Sequence, residues 1–490
     1  MSLSYLLADD HTTMLNIIEK ILCHFESCFS RKAAFRWFVI IITGLMLRSD
    51  KLGVTSILRD LALAPGCYDS ILHFFRASSW SLEDIRKRWF SAVRLYAPLY
   101  KEGNFHVLVG DGVKQSKEGR RMPGVKKLFQ ESENSAKPEY MHGHMFGGLG
   151  ILAGNFRSWA CIPLSIRLHD GLQAAREWKG ASVSTASHVV QMVEDSYHAA
   201  LTFGDSLLLL DRYFLTVPAL EKLRELNNSG KVHMEIVTKA KKSCTAFQKP
   251  GPRKPGRGRP PKKGDAVHLK GLFASHKEQF METETELYGK KKTIRYYSID
   301  LLWGQKLYQE LRFVLVEMDG IQSILASTSL ALDPLSIIRL YSYRFRIECT
   351  FRELKQQTGA FCYHFWSKHM PKLSYYQKKG EPTPLERVED ERSRKKILKT
   401  VRAIEVHMEL SCIAMGILQT LSIRFIGKVC SSQIRYQRTP SKGRVSEAAL
   451  MHYFRKHFFR LLEQKPKSYI TQIIHELQEE SEKHWDFLAS

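Results

Sequence analysis

Asp333-Pro334-Leu335-Ser336-Ile337-Ile338-Arg339-Leu340-Tyr341-Ser342-Tyr343-Arg344-Phe345-Arg346-Ile347-Glu348-Cys349-Thr350-Phe351-Arg352-Glu353-Leu354-Lys355-Gln356-Gln357 is the stretch of this 490-residue chain from which the rest can be read. Asp333 suits a helix N-cap and Pro334 the first helical position, so the spacing predicts one helix from there to about Gln357. At about 100° per residue, Tyr341, Arg344, Glu348 and Lys355 fall within roughly 60° of one another, with Arg352 beside them. Leu340, Ile347, Phe351 and Leu354 form an adjacent apolar stripe. Glu348 then stands on the border between a buried face and an open cleft, where a metal-binding carboxylate belongs. Taken alone, the helix reads more simply as a solvated ladder of Arg344, Glu348 and Arg352, which contributes only tenths of a kcal/mol per pair.

What shifts the balance lies upstream. Asp111 follows the apolar run Val107-Leu108-Val109-Gly110, and Asp211 follows Leu207-Leu208-Leu209-Leu210. An ionised carboxylate beside a buried strand is costly unless it is paired or holds a metal, and open α/β sheets place ligand sites beyond strand ends. Each Asp by itself is more often a turn residue. Two of them plus a Glu on a basic helix supply three oxygen donors for hard cations. That is the set needed to hold two Mg²⁺ ions about 3.5–4 Å apart.

Around these carboxylates the hydrophobic pattern alternates between periods. Apolar runs at Phe105–Val109, Met145–Leu152 and Trp159–Leu168 predict three strands, Val189–Ala199 a helix, Ser206–Leu210 a strand and Val232–Val237 another. The expected fold class is α/β, a mixed sheet flanked by helices over 101–237 and 331–365, which is the order of an RNase H-like catalytic core although that order alone does not single it out. A β-rich insertion over 238–330, with strand-like runs at Thr293–Ile299, Phe313–Glu317 and Ile324–Ser327, interrupts it. Helical regions are expected at both ends, 1–100 and 366–490. Within the first, Ser56–Leu61, a break at Pro65-Gly66 and Tyr68–Phe75 fit either a DNA-binding helix-turn-helix or a packed bundle, and Ser79 or Ser81 suits the cap of the helix that runs to Tyr96, Asp84 three residues on favouring Ser81.

At the carboxylates the sequence resembles a known family. Tyr341, Arg344, Glu348 and Lys355 keep the spacing of the tyrosine-arginine-glutamate-lysine signature of the insertion sequence four family of DDE transposases. Gly110-Asp111-Gly112 and Asp211-Arg212-Tyr213-Phe214 are similar to its two aspartate motifs, and the resemblance covers about residues 105–360. It implies a catalytic and metal-binding triad of Asp111, Asp211 and Glu348. It also implies two Mg²⁺ ions, for which Mn²⁺ can substitute, cleavage at the element's terminal inverted repeats and attack of the freed 3′-hydroxyl on target DNA. Tyr341, Arg344 and Lys355 are then DNA contacts near the cut, with Arg352 beside them; guanidinium and ammonium groups suit phosphate. Related enzymes stack a tryptophan of the insertion on a flipped base, which points to Trp303, although a lone aromatic is more often core packing. A dimer assembled on DNA is expected, with the C-terminal region a candidate contact surface.

Composition narrows the alternatives. Lys and Arg total 74 against 50 Asp and Glu, a formal charge of +24, so the favoured partner is a polyanion, double-stranded DNA first. Phe38–Leu47 and Ile413–Ile426 are too short or too closely flanked by charge to be membrane spans and read as buried helices, so no membrane partner is expected. No export signal is apparent, and nine cysteines without a Cys-x-x-Cys pair argue against a disulfide framework and a zinc site. A cytoplasmic, nucleoid-associated protein is the expectation. Arg257-Gly258-Arg259-Pro260, set among Lys and Pro, is similar to an AT-hook whose arginines enter a narrow minor groove, or is a basic linker that binds phosphate without sequence preference. His142-Gly143-His144 lacks further ligands at metal spacing, and Asp205 reads as a turn residue. The competing readings are a catalytically inactive DNA-binding protein of transposase ancestry and a general RNase H-like nuclease.

Overall fold

The computed structural model describes residues 14–130, 136, 138–155, 158–178, 187–252, 260–376, 381–425 and 445–478. Helix occupies 14–23, then α1 (Lys32–Leu47), α2 (Thr55–Asp60), α3 (Cys67–Arg76) and α4 (Leu82–Tyr96). Strands β1 (Lys101–Glu102), β2 (Phe105–Ser116), β3 (Lys126–Phe129), β4 (Tyr140–Asn155) and β5 (Ser158–Leu168) follow, then α5 (His188–Phe203), β6 (Ser206–Leu209), α6 (Val217–Ser229) and β7 (Met234–Ala240). Next come β8 (Thr245–Phe247), β9 (Ala266–His268), β10 (Met281–Leu287), β11 (Lys290–Trp303), β12 (Gln309–Met318) and β13 (Ile321–Ser327). The chain then runs through α7 (Pro334–Tyr343), α8 (Arg346–Glu353), α9 (Glu391–Arg424), α10 (Glu447–Glu463) and a helical stretch over 469–478.

Two compact units result, one of Met1–Leu99, Gly112–Thr185 and Glu348–Ser490, the other of Tyr100–Asp111 and Ala186–Ile347. β2 passes through both. In the first unit α9 is the central element. It starts at Asp390, whose side chain accepts from the N–H groups of Arg392 and Ser393, and its long apolar stretch is long enough to cross a membrane but 94% buried within the protein. Gly416 permits this closeness, since a Cβ there would meet the Trp89 ring at 2.3 Å, while the Trp89 indole donates to the Pro163 carbonyl at 2.9 Å. Each fully buried Leu, Ile or Phe on these faces contributes about 1.5–3 kcal/mol. Ser81 does cap α4, accepting from the Asp84 N–H at 3.2 Å. β4 and β5 pair antiparallel with a register shift at Leu149/Gly150, and the end of β2 runs beside β4, the Lys117 N–H donating to the His142 carbonyl at 3.0 Å.

In the second unit the first half of β2 lies parallel to β6, and β6 parallel to β7. All four residues of β6 are buried, as expected of a parallel strand covered on both faces. The order β5–β4–β2 in one unit and β2–β6–β7 in the other is that of an RNase H-like sheet: a mixed α/β core flanked by helices, with helical N- and C-terminal regions. The strands of 238–330 do not stand apart from it. β13 pairs antiparallel with β7, then β12 with β13, β11 with β12 and β10 with β11, so the insertion extends the sheet.

Several strands run longer than their apolar cores suggest, and β10, an alternation of Met, Glu and Thr, carries too little hydrophobic signal to be read from sequence. The single helix expected from Asp333 to Gln357 is broken. Asp333 caps α7, accepting from the Ser336 N–H at 3.1 Å. The helix then stops at Tyr343, turns through Arg344-Phe345, resumes as α8 and ends in a π-helical turn over Leu354–Thr358, closed by Gly359 at φ 62°. Leu340, Ile347, Phe351 and Leu354 are buried as the apolar stripe requires.

Candidate active site

The register of parallel strands builds the site. Val109 of β2 is paired with Leu209 of β6, so Asp111 and Asp211, each two residues further on, emerge at the same end of the sheet. Asp111 does not end its strand, since β2 continues to Ser116; what ends at Val109 is the pairing with β6. Asp211 leaves β6 directly. It caps the turn Arg212–Phe214, its Oδ1 accepting from the Tyr213 N–H at 2.8 Å, while its own carbonyl accepts from Thr238 Oγ1 at 2.7 Å. Gly110 is needed for this closeness, because a Cβ there would meet Met192 Sδ at 2.7 Å and Leu210 at 2.8 Å.

Basic and phenolic groups surround the two carboxylates. Arg344, in the turn between α7 and α8, donates through Nη1 to Asp111 Oδ2 at 3.0 Å, and both side chains are about one-sixth exposed (15% and 17%). Tyr341, one helical turn earlier, has its phenol pushed up to about 12, first by burial and then by the Asp211, Tyr288 and Asp111 charges, against the pull of Arg344. Lys239 near the end of β7 is held below its ordinary value by burial and by Arg212, Lys242 and Arg344. A field dense in positive charge thus faces two acids, an arrangement able to receive a phosphodiester.

Two members of this set escaped sequence reasoning. Lys239 sits in an ordinary strand. Tyr288 lies in the turn between β10 and β11, at φ 56°, its ring centroid 5.6 Å from that of Phe345 and its phenol shifted upward by burial and downward by Arg344. The only available signal was Tyr288-Gly289 followed by three lysines. Trp303 is at the far end of β11, roughly 40 Å along the strand at about 3.3 Å per residue. Its indole donates to Cys244 Sγ at 3.2 Å. The insertion brings Tyr288 to Arg344, and not Trp303.

Glu348 is exposed on α8 and belongs, with Arg352 and Lys355, to the other unit. Arg352 is exposed and paired with Glu353 at 3.2 Å, and Lys355 is half-buried, its ammonium 5.2 Å from the Phe361 ring centre and held below its ordinary value by burial. Arg257 and Arg259 fall outside the described residues. For a divalent cation the fit is partial: Asp111 and Asp211 offer hard oxygen donors on one sheet end, yet Oδ2 of Asp111 is engaged by Arg344. Among the described residues no group of three His, Cys, Asp or Glu is gathered closely enough to hold a metal.

Paired acids at the end of parallel strands in an RNase H-like sheet, faced by arginine and lysine, define a class of site suited to receiving a phosphodiester. The family described as DDE superfamily endonuclease matches residues 24–297, more than half of the chain, and the chain belongs to this family. The match takes in Asp111 and Asp211 and ends before Glu348. Membership carries a DNA partner and, in general, a metal-dependent mechanism. No curated relative matches the chain in sequence. Among solved structures, a cryo-EM structure of the piggyBac transposase synaptic complex with hairpin DNA is similar at 12% identity over 91% of this chain and 76% of that one, with a TM-score of 0.36.

Proposed function

We propose that the chain is a DNA transposase of the insertion sequence four type. In this reading it cleaves the terminal inverted repeats of its own element and joins the 3′-hydroxyl ends to target DNA, working as a dimer on DNA in the cytoplasm, at the nucleoid. The observation that carries the proposal is the Arg344–Asp111 pair beside Asp211 and Tyr341, in a chain of the DDE superfamily endonuclease family. Asp111, Asp211 and Glu348 would hold two Mg²⁺ ions, which when bound supply activation of water or a 3′-hydroxyl and stabilisation of the departing oxygen. The protein's own groups do the rest. Arg344 neutralises Asp111 until a DNA phosphate competes for the guanidinium, and Tyr341 and Lys239 line the approach of the backbone. Lys355, Arg352, Trp303 and the Arg257/Arg259 segment are carried as further DNA contacts.

The partial metal fit favours one alternative, a DNA-binding protein of transposase ancestry that no longer cuts. The deciding experiment is cleavage of linear DNA bearing the element's ends, with Mg²⁺, Mn²⁺ or EDTA, using wild type, Asp111→Asn and Glu348→Gln, with end binding followed in parallel. Metal-dependent nicking at the repeat boundary is expected. Each substitution should lower it by on the order of 10³ or more, about 4 kcal/mol of barrier, with binding retained. Binding without cutting under either metal would hand the chain to the non-catalytic reading.

A further inference from the structure

The unit that contains α9 encloses a cavity of about 240 Å³ far from neutral in its lining. Arg48, Lys51 and Arg76 contribute to its wall, and among the described residues that line it none is acidic. Arg48 is buried, its guanidinium spent on the carbonyls of Asp50, Gly53 and Thr358 at 2.7–2.9 Å. Its nearest carboxylate, Asp50, is 3.7 Å away and is shared with Arg59. Burial holds Arg48 below its ordinary value despite that neighbour. The charge of this arginine is therefore poorly compensated.

His407 lines the same cavity at 6% exposure. Burial first, then Arg48 and Lys117, push this imidazole down to about 3 against the backbone of Gly359 and Ala360, to which the ring is hydrogen-bonded. The remaining wall is aromatic: Tyr363 and Phe365 are buried, and Tyr68 is 40% exposed at the rim. Cations that attract a phosphate and flat rings that stack on a base describe the two ends of a single ligand class. The volume, just under the range of about 300–1,000 Å³ usual for small-molecule pockets, suits one such unit and not two.

We infer that this cavity binds a single nucleotide, its phosphate on Lys51 and Arg76 and its base against Tyr68, Tyr363 and Phe365. The inference goes beyond the transposase reading and does not rest on it. The same chemistry is offered by a free mononucleotide and by the terminal nucleotide of a DNA strand. The test titrates the full chain with dAMP, inorganic phosphate and deoxyadenosine by calorimetry. Saturable binding of dAMP is expected, at least tenfold tighter than either fragment. Arg76→Gln, at a half-buried position, and Lys51→Gln, at an exposed one, should each weaken it tenfold or more while the melting profile stays that of wild type. No saturable uptake of dAMP, equal affinity for inorganic phosphate, or uptake unchanged in Arg76→Gln and Lys51→Gln would overturn the assignment. Displacement of dAMP by a 5′-phosphorylated octamer but not by its 5′-hydroxyl counterpart would identify a strand end as the source, and displacement by neither a free nucleotide.

Discussion

Two arginine–carboxylate pairs of nearly the same length sit in the two units and behave differently. Arg344 meets Asp111 at 3.0 Å with both side chains partly open to solvent, while Arg86 of α4 meets Glu409 of α9 at 2.9 Å with exposures of 6% and 0%. Arg86 Nη2 and Glu409 Oε1 have no further hydrogen-bond partner among the described residues. The buried pair joins two helices, with Glu83 as a second carboxylate 3.4 Å from Arg86. The open pair leaves both of its partners in reach of solvent. Contact distance alone does not separate a structural pair from a functional one; water access and the company of other charges do.

The strongest way to break the comparison is to remove one partner of the buried pair. Arg86→Met leaves Glu409 uncompensated and should cost about 3–5 kcal/mol in denaturant unfolding, whereas Arg86→Met with Glu409→Leu should regain most of it. A cost under about 1 kcal/mol for the single variant would show that the pair does not hold the two helices together.

A smaller effect sharpens the picture of the same unit through pH. The His144 Nε2–H donates to the Pro123 carbonyl at 2.9 Å, its Nδ1 accepts from the Tyr363 hydroxyl at 2.6 Å, and burial, against the Pro123 carbonyl and aided by Lys117, pushes the imidazole down to about 3. The unfolded chain takes up a proton near pH 6.5 and the folded chain does not. The stability His144 provides is thus complete above pH 6.5 and lost as pH falls toward 3, by up to about 1.4 kcal/mol per pH unit. Glu409, which burial pushes up to about 7 against Arg86, works with the opposite sign, gaining stability as pH falls from 7 toward 4.5. The quantity to measure is the slope of unfolding free energy between pH 6.5 and 5.5 in wild type minus that in His144→Gln. Equal slopes would contradict the assignment.

The smallest effect tests the open pair. Arg344→Gln should weaken binding to the element's ends about tenfold and lower the logarithmic salt slope by about one, with little change in stability. An unchanged affinity and slope would mean that Arg344 serves Asp111 alone.

How much of this could be read beforehand depended on the range over which each feature is encoded. The caps at Ser81 and Asp333 were readable because a cap and its helix lie within three residues of each other. The runs before Asp111 and Asp211 were readable because burial of a parallel strand writes an unbroken apolar stretch. Longer strands, the polar β10 and the break at Arg344-Phe345 were not, since edge pairing and a two-residue turn leave no periodic trace.

By itself the sequence determined the acids, the basic charge around them and the alternation of strand and helix, all properties of neighbours along the chain. Only the tertiary structure decided that Val109 pairs with Leu209, so that Asp111 and Asp211 share one end of a sheet, that Tyr288 and not Trp303 reaches Arg344, and that Arg48, Arg76 and His407 line one cavity. Those outcomes depend on the packing of segments far apart in sequence, where register and burial are settled collectively by the core and by no single stretch of residues.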